Sequence, residues 1–311
     1  MRLHLDKNMK VYEMSFERYV EEIKELVENE VGTSIQIEQI TTTKNNGTEK
    51  IGLMMSEQKS NLKPVIYLNE MYERQKENEN TLEDAVIEFM DCYEKTRGEK
   101  IDGDFFEWER VKERIAVKLI NKEWNRELLE DVPYKEILDL ALVFFIVVGL
   151  DEDEMGSVLI RNEHLQMWGI QEQELWSLAM KNSETLLPAK MLTIRGCISE
   201  LIGEEAMNEL FRNEQEEKIP VMYILTNEFK MYGASSIVYP NLLDEVGEII
   251  GADFYVLPSS VHETILVRAD ETFSKDELTK MVQEVNQQVG SEELLSNHAY
   301  FYSVEKKKLT V

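Results

Sequence analysis

The segment ILDLALVFFIVVGL, residues 137–150, constrains the fold more than any other stretch of the chain. It is the most apolar run, yet it is shorter than the ~20 residues a membrane-spanning helix needs, and Asp139 interrupts it. Its second half, VFFIVV, is β-branched and aromatic, which suits a strand buried on both faces. With 311 residues the chain can supply the core such a strand needs, and its length suits two packed domains. A composition of 43% hydrophobic and 31% charged residues is that of a globular protein and not of a disordered one.

The formal net charge is −27, with 61 acidic residues against 34 basic ones. A phosphate-binding surface needs clustered Lys and Arg, so nucleic acid is not expected as a partner. Anionic membrane surfaces are repelled by the same charge, whose ordinary role is to keep a protein soluble; a protein partner, if there is one, is expected to be basic. Cys92 and Cys197 stand far apart and outside any metal-like spacing, as expected for reduced, buried thiols in a cytoplasm. The opening MRLHLDKNMKVYEM lacks the long apolar core of a secretory signal, so a cytoplasmic location is expected.

Periodicity divides the chain into an N-terminal α+β domain over 15–97, a Gly-containing charged linker over 98–104, and a C-terminal α+β region over 105–311. Whether that region divides again near 190 stays open. In the first domain, Ser15 is placed to cap a helix whose apolar residues include Phe16, Tyr19, Val20, Ile23 and Val27. Two strand-like runs flank Asn46-Gly47, a dipeptide that supplies the two positive-φ residues of a hairpin turn. A third strand, VIYL, and an amphipathic helix, TLEDAVIEFMDCYEKT, complete the domain.

Beyond the linker, the stretch 105–133 reads as mostly helical, and 137–148 as the buried strand. Helix pieces follow up to Pro188, and GEEAMNELFRN reads as another helix. MYILTN and ASSIVYP read as a pair of strands, with Gly233 allowing the second to begin tightly. NLLDEVGEIIG is a short helix closed by Gly251, and Ser274 with Glu277 forms a capping-box signature. Without regular βαβ alternation, the expected class is α+β, with mixed, mainly antiparallel sheets and flanking helices.

Several of these stretches carry a family likeness. KNNG with PVIYLNEMY, LINKEWN with VPYKEILDLALVF, MYILTNEF with GASSIVYP, and FYVLPSSVHETILV together resemble a domain-of-unknown-function family of uncharacterised bacterial proteins, common in gut clostridia. The C-terminal portion is also similar to another uncharacterised group found in bacilli. The resemblance covers about residues 15–305 and implies a cytoplasmic bacterial protein of undetermined activity. It brings no catalytic residues with it.

Chemistry is concentrated in the corner LPSSVHE, where Ser259, Ser260, His262 and Glu263 are the residue types of a hydrolase site. A serine nucleophile needs a His within reach and a carboxylate to orient that His. Ser260 and His262 would share a face of a strand, whereas Glu263 would point away. The opposing reading is a turn in which Pro258 sets the bend, the serines bond local backbone, and His262 satisfies a buried polar group. Thr226, Asn227, Gly233 and Ser235 would line a pocket beside this corner if their strands are neighbours.

No metal site and no cofactor are expected. Position 266 is Leu, so His262-Glu263 lacks the second His of H-E-x-x-H, and His4, His164 and His298 stand in unrelated segments. The DEDE run, 151–154, lacks the alternation and glycine of a calcium loop. Phosphate-cradling glycine motifs are missing from the sequence. Trp108, Trp124, Trp168 and Trp176 fall in the middle third, where core packing is the ordinary role and partner contact the alternative.

Three functions fit these features. The first is a non-catalytic binding or regulatory module that meets partners through polar corners and acidic faces. The second is a hydrolase with His262 as general base beside Ser259 or Ser260. The third is an acidic accessory protein of a phage or mobile element. A catalytic His must face a cleft, while a structural one is enclosed with its ring nitrogens committed.

Overall fold

The structure is a computed structural model. It describes residues 7–57, 63–97, 106–150, 155–194, 196, 197, 199, 203, 222–258, 260–270, 272–288 and 290–311. The expected linker, the DEDE run, His4, Ser259 and nearly all of the helix expected in GEEAMNELFRN lie outside these residues. The chain forms two compact units, Met1–Phe106 and Glu107–Val311. Both combine helices with antiparallel sheets, so the fold class is α+β. Among the described residues no helix is long and apolar enough to cross a membrane.

In the N-terminal unit, α1 (Phe16–Val31) starts where the Ser15 side chain accepts the Arg18 N–H, and ends at Gly32, whose φ is 64°. β1 (Ile35–Thr43) and β2 (Glu49–Glu57) pair antiparallel. Asn46 and Gly47 make the turn with φ of 59° and 69°, a conformation that Asn and Gly tolerate and most residues resist. The short β3 (Val65–Tyr67) pairs with β2, so β1 is an edge of this sheet. α2 (Asn69–Glu77) and α3 (Leu82–Arg97) follow. Tyr19, Ile23 and Val27 of α1, Leu53 and Met55 of β2, and Phe89 and Tyr93 of α3 belong to one buried cluster. Each such side chain contributes roughly 1.5–3 kcal/mol by leaving water.

The C-terminal unit contains two sheets. In the first, β6 (Leu140–Leu150) is central, with β4 (Ile115–Asn121) on one side and β5 (Tyr134–Ile137) and β7 (Met155–Leu159) along the other. VFFIVV is the heart of β6, and every residue from Leu140 to Val147 is buried. Two expectations need correction. The strand expected over 137–148 begins at Leu140, because Leu138 (φ 56°) and Asp139 form the turn of a β5–β6 hairpin. The stretch 105–133 is not mostly helical: only α4 (Trp108–Val111) and α5 (Arg126–Asp131) are α-helical, and β4 lies between them. Ile115 and Leu119 have helical spacing, but all of β4 except Lys118 is buried, and the strand pairs with β6 over its whole length. Two-sided burial of this kind overrides local propensity.

α6 (Asn162–Trp168) and α7 (Glu172–Leu186) lead to the second sheet, whose order is β13-β12-β10-β11-β9-β8. Its strands are β8 (Ala189–Thr193), β9 (Met222–Asn227), β10 (Phe254–Leu257), β11 (Thr264–Arg268), β12 (Tyr300–Ser303) and β13 (Lys308–Thr310). Sequence reasoning missed β8. Gly251 (φ 71°) closes α8 (Leu242–Ile250), and the Ser274–Glu277 capping box starts α9 (Lys275–Asn286).

ASSIVYP is not a strand. Residues Gly233–Val238 form a 3-10 helix entered through Tyr232 at φ 54°. Its serines bond other elements instead of joining a ladder: Ser235 Oγ accepts the Leu119 N–H of β4 at 3.0 Å, and Ser236 Oγ donates to the Thr226 carbonyl at 3.1 Å. Such side-chain bonds offer the backbone an alternative to a sheet.

Candidate functional site

The antiparallel pairing of β9 with β11 sets Leu225 opposite Thr264, and so brings Thr226 and Asn227 beside the corner that precedes β11. Thr226 Oγ1 donates to the His262 carbonyl at 2.8 Å. Asn227 closes its own loop: its amide donates to the Met231 carbonyl at 2.7 Å and its carbonyl accepts the Phe229 N–H at 3.0 Å. Gly233 fits where nothing larger can. A Cβ there would come within 2.2 Å of Thr226 Oγ1, 2.5 Å of the His262 carbonyl oxygen and 2.7 Å of the Asn227 nitrogen. Ala234 N–H donates to the Val261 carbonyl at 3.3 Å, which ties the 3-10 helix to the corner.

Within the corner, Ser260 is buried and forms an isolated bridge with Leu294. Its Oγ accepts the backbone N–H of His262 at 3.0 Å. Val261 N–H donates to the Glu293 carbonyl at 2.8 Å. The half-buried His262 ring accepts the Tyr232 N–H at Nδ1, over 3.4 Å, and stacks on the Tyr232 ring at 5.8 Å and 12°. Lys118 Nζ lies 4.5 Å from the centre of the same Tyr232 ring, and Phe145 meets it edge-on at 5.3 Å. An N–H aimed at Nδ1 leaves the proton of the neutral imidazole on Nε2. Burial pushes the half-buried Glu263 carboxyl up; the nearby His262 opposes this and Glu293 adds to it.

The structure thus gathers Thr226, Asn227, Gly233, Ser260 and His262 in one network. Ser235 looks elsewhere. It plugs the outer edge of β4, as does Ser183, whose Oγ accepts the Val117 N–H at 3.0 Å. Among the described residues, His298 donates its backbone N–H to Ser296 Oγ at 3.1 Å, and His164 belongs to α6. His164 accepts the Arg161 N–H at Nδ1 (2.9 Å), burial pushes its imidazole pKa down, and its ring stacks on Trp168, which in turn meets Trp108. Among the described residues no three His, Cys, Asp or Glu side chains converge as metal ligands. Cys92 and Cys197 are half-buried and form no disulfide.

Sequence reasoning missed a second polar cluster. Asp139, taken only as an interruption of an apolar run, accepts hydrogen bonds from Ser296 Oγ (2.7 Å) and from the Tyr300 hydroxyl. Asn121 donates to the Leu295 carbonyl at 3.0 Å and accepts the Trp124 N–H at 3.0 Å. These bonds link the four-stranded sheet to the β12 side of the six-stranded one. The only sequence signal was an Asp inside an otherwise apolar segment, since a half-buried charge gains from hydrogen-bond partners.

A family model described as "Family of unknown function (DUF5688)" matches residues 16–304, and the chain belongs to that family. No curated protein and no solved structure matches it.

Proposed function

We propose that this member of the DUF5688 family is a non-catalytic binding or regulatory protein whose LPSSVHE corner is part of its scaffold. One observation carries the reading. The Ser260 hydroxyl accepts the His262 backbone N–H, while the ring nitrogen Nδ1 faces the Tyr232 N–H. A serine nucleophile must pass its proton to an adjacent unprotonated imidazole nitrogen. Here Nδ1 is engaged and Nε2 holds the proton of the neutral ring. The net charge of −27 favours a basic protein as the partner.

Treating the full chain with a serine-reactive fluorophosphonate, followed by peptide mass spectrometry, tests this. The expected result is no adduct on Ser259 or Ser260, and turnover of p-nitrophenyl esters that is equal in wild type and His262→Ala. An adduct on either serine that disappears in His262→Ala would establish the hydrolase reading instead.

A further inference from the structure

The outer edge of β1 carries the inference. Thr41 of β1 stands opposite Ile51 of β2. Ile51 turns its backbone toward β3, since its N–H donates to Asn69 Oδ1 at 2.8 Å and its carbonyl accepts the Leu68 N–H at 2.9 Å. In an antiparallel pair the residues that bond across alternate with those that do not. Thr41 therefore points its N–H and C=O away from β2, and so do Ile35, Ile37, Gln39 and Thr43.

Among the described residues nothing pairs with this edge. An open edge is a template for another strand, and proteins blunt it with Lys, Pro, bulges or covering groups. β1 has nine residues in unbroken register with β2, contains neither Lys nor Pro, and carries Glu38 as its one charge. The contrast with β4 is direct, because Ser183 and Ser235 occupy the outward N–H groups of that strand.

Beside the edge runs an open groove of about 590 Å³, lined by Glu28, Asn29, Gly32 and Thr33 at the end of α1 and by residues 35–38 of β1. Its electrostatics are one-sided. α1 bears six glutamates against Arg18 and Lys24, and its last turn has no basic residue. Carboxylates at the negative end of a helix dipole are unfavourable, and a cation placed there relieves them. Lys24, 3.8 Å from Glu28, does so only in part.

We infer that β1 is a docking edge for an extended, lysine- or arginine-bearing segment of another protein, which adds a strand to the sheet and sets its cations against Glu28 and Glu38. Main-chain bonds would supply affinity and the alternating side chains specificity. The inference is independent of the role of the His262 corner.

The probe is a nine-residue peptide of Lys-Lys-Thr-Thr repeats, which shows Lys on both faces of a strand and matches the length of β1, with the corresponding Glu/Thr peptide as control. Binding to the full chain is followed by fluorescence anisotropy and by amide hydrogen exchange. The Lys peptide is expected to bind and the Glu peptide not, with exchange at Ile37, Gln39 and Thr41 slowed about tenfold or more. Gln39→Pro removes one outward donor and should abolish that protection. Glu38→Lys leaves the buried cluster intact, so it serves if the proline variant fails to fold, and it should weaken binding about tenfold. Equal binding of both peptides, or binding without protection of these amides, would overturn the inference. Protection that rises with protein concentration in the absence of peptide would overturn it too, by making a second copy the occupant.

Discussion

Tyr300 and Ser296 donate to the two oxygens of the Asp139 carboxylate, across 161 and 157 residues of sequence. The two hydroxyls hold the β5–β6 turn against the segment that leads into β12. Tyr300→Phe keeps the ring and removes one bond to a charged acceptor, a loss of about 1.5–3 kcal/mol of unfolding free energy. Denaturant titration of the two proteins measures it.

Burial raises the phenol pKa of Tyr19, Tyr239 and Tyr300. Their neutral forms are therefore favoured in the folded state. The resulting stability is fully present below the ordinary tyrosine pKa of about 10 and is lost as pH rises through the folded values. Alkaline unfolding should coincide with the appearance of phenolate absorbance. A large phenolate signal from the folded protein at lower pH would contradict this.

Glu263 behaves in the same direction at the acid end. Its folded pKa is raised, chiefly by burial, so it favours folding below the ordinary Glu value of about 4.3 and loses that contribution as pH rises. Glu263→Gln should consequently stabilise the protein at neutral pH, and the gain should vanish at about pH 4. Midpoints of urea unfolding at the two pH values decide the matter.

Gly233→Ala forces a methyl group against Thr226 Oγ1 and two backbone atoms of neighbouring segments. Backbone cannot move aside as a flexible side chain can, so the expected cost is about 3 kcal/mol or more. A thermal unfolding midpoint unchanged from wild type would show that the 3-10 helix shifts freely.

Local signals in the sequence were sufficient where local physics decides. Asn46-Gly47 adopts two positive φ values, Ser274 and Glu277 exchange capping bonds, and VFFIV, residues 143–147, is buried on both faces because no polar residue breaks it. The failures share a cause, in that distant partners overrode local preference. IAVKLIN looks helical among charged neighbours until β6 lies alongside it. GASSIV looks like a strand until Ser235 and Ser236 bond to β4 and β9. The partners of Asp139 lie too far away in the chain for any spacing rule to link them. In the candidate corner, proximity of Thr226 and Asn227 to His262 followed from pairing of their strands, whereas the acceptor role of Ser260 depends on rotamers that sequence does not specify.

The proposed scaffold role of the LPSSVHE corner requires that its polar groups hold the fold together. The unfolding free energy of Ser260→Ala against wild type, in denaturant at neutral pH, tests it most directly. Removing the acceptor of the His262 N–H inside a buried corner predicts a loss of about 1–3 kcal/mol. Stability within ~0.5 kcal/mol of wild type would contradict the claim and make the corner a site whose side chains serve something other than the fold.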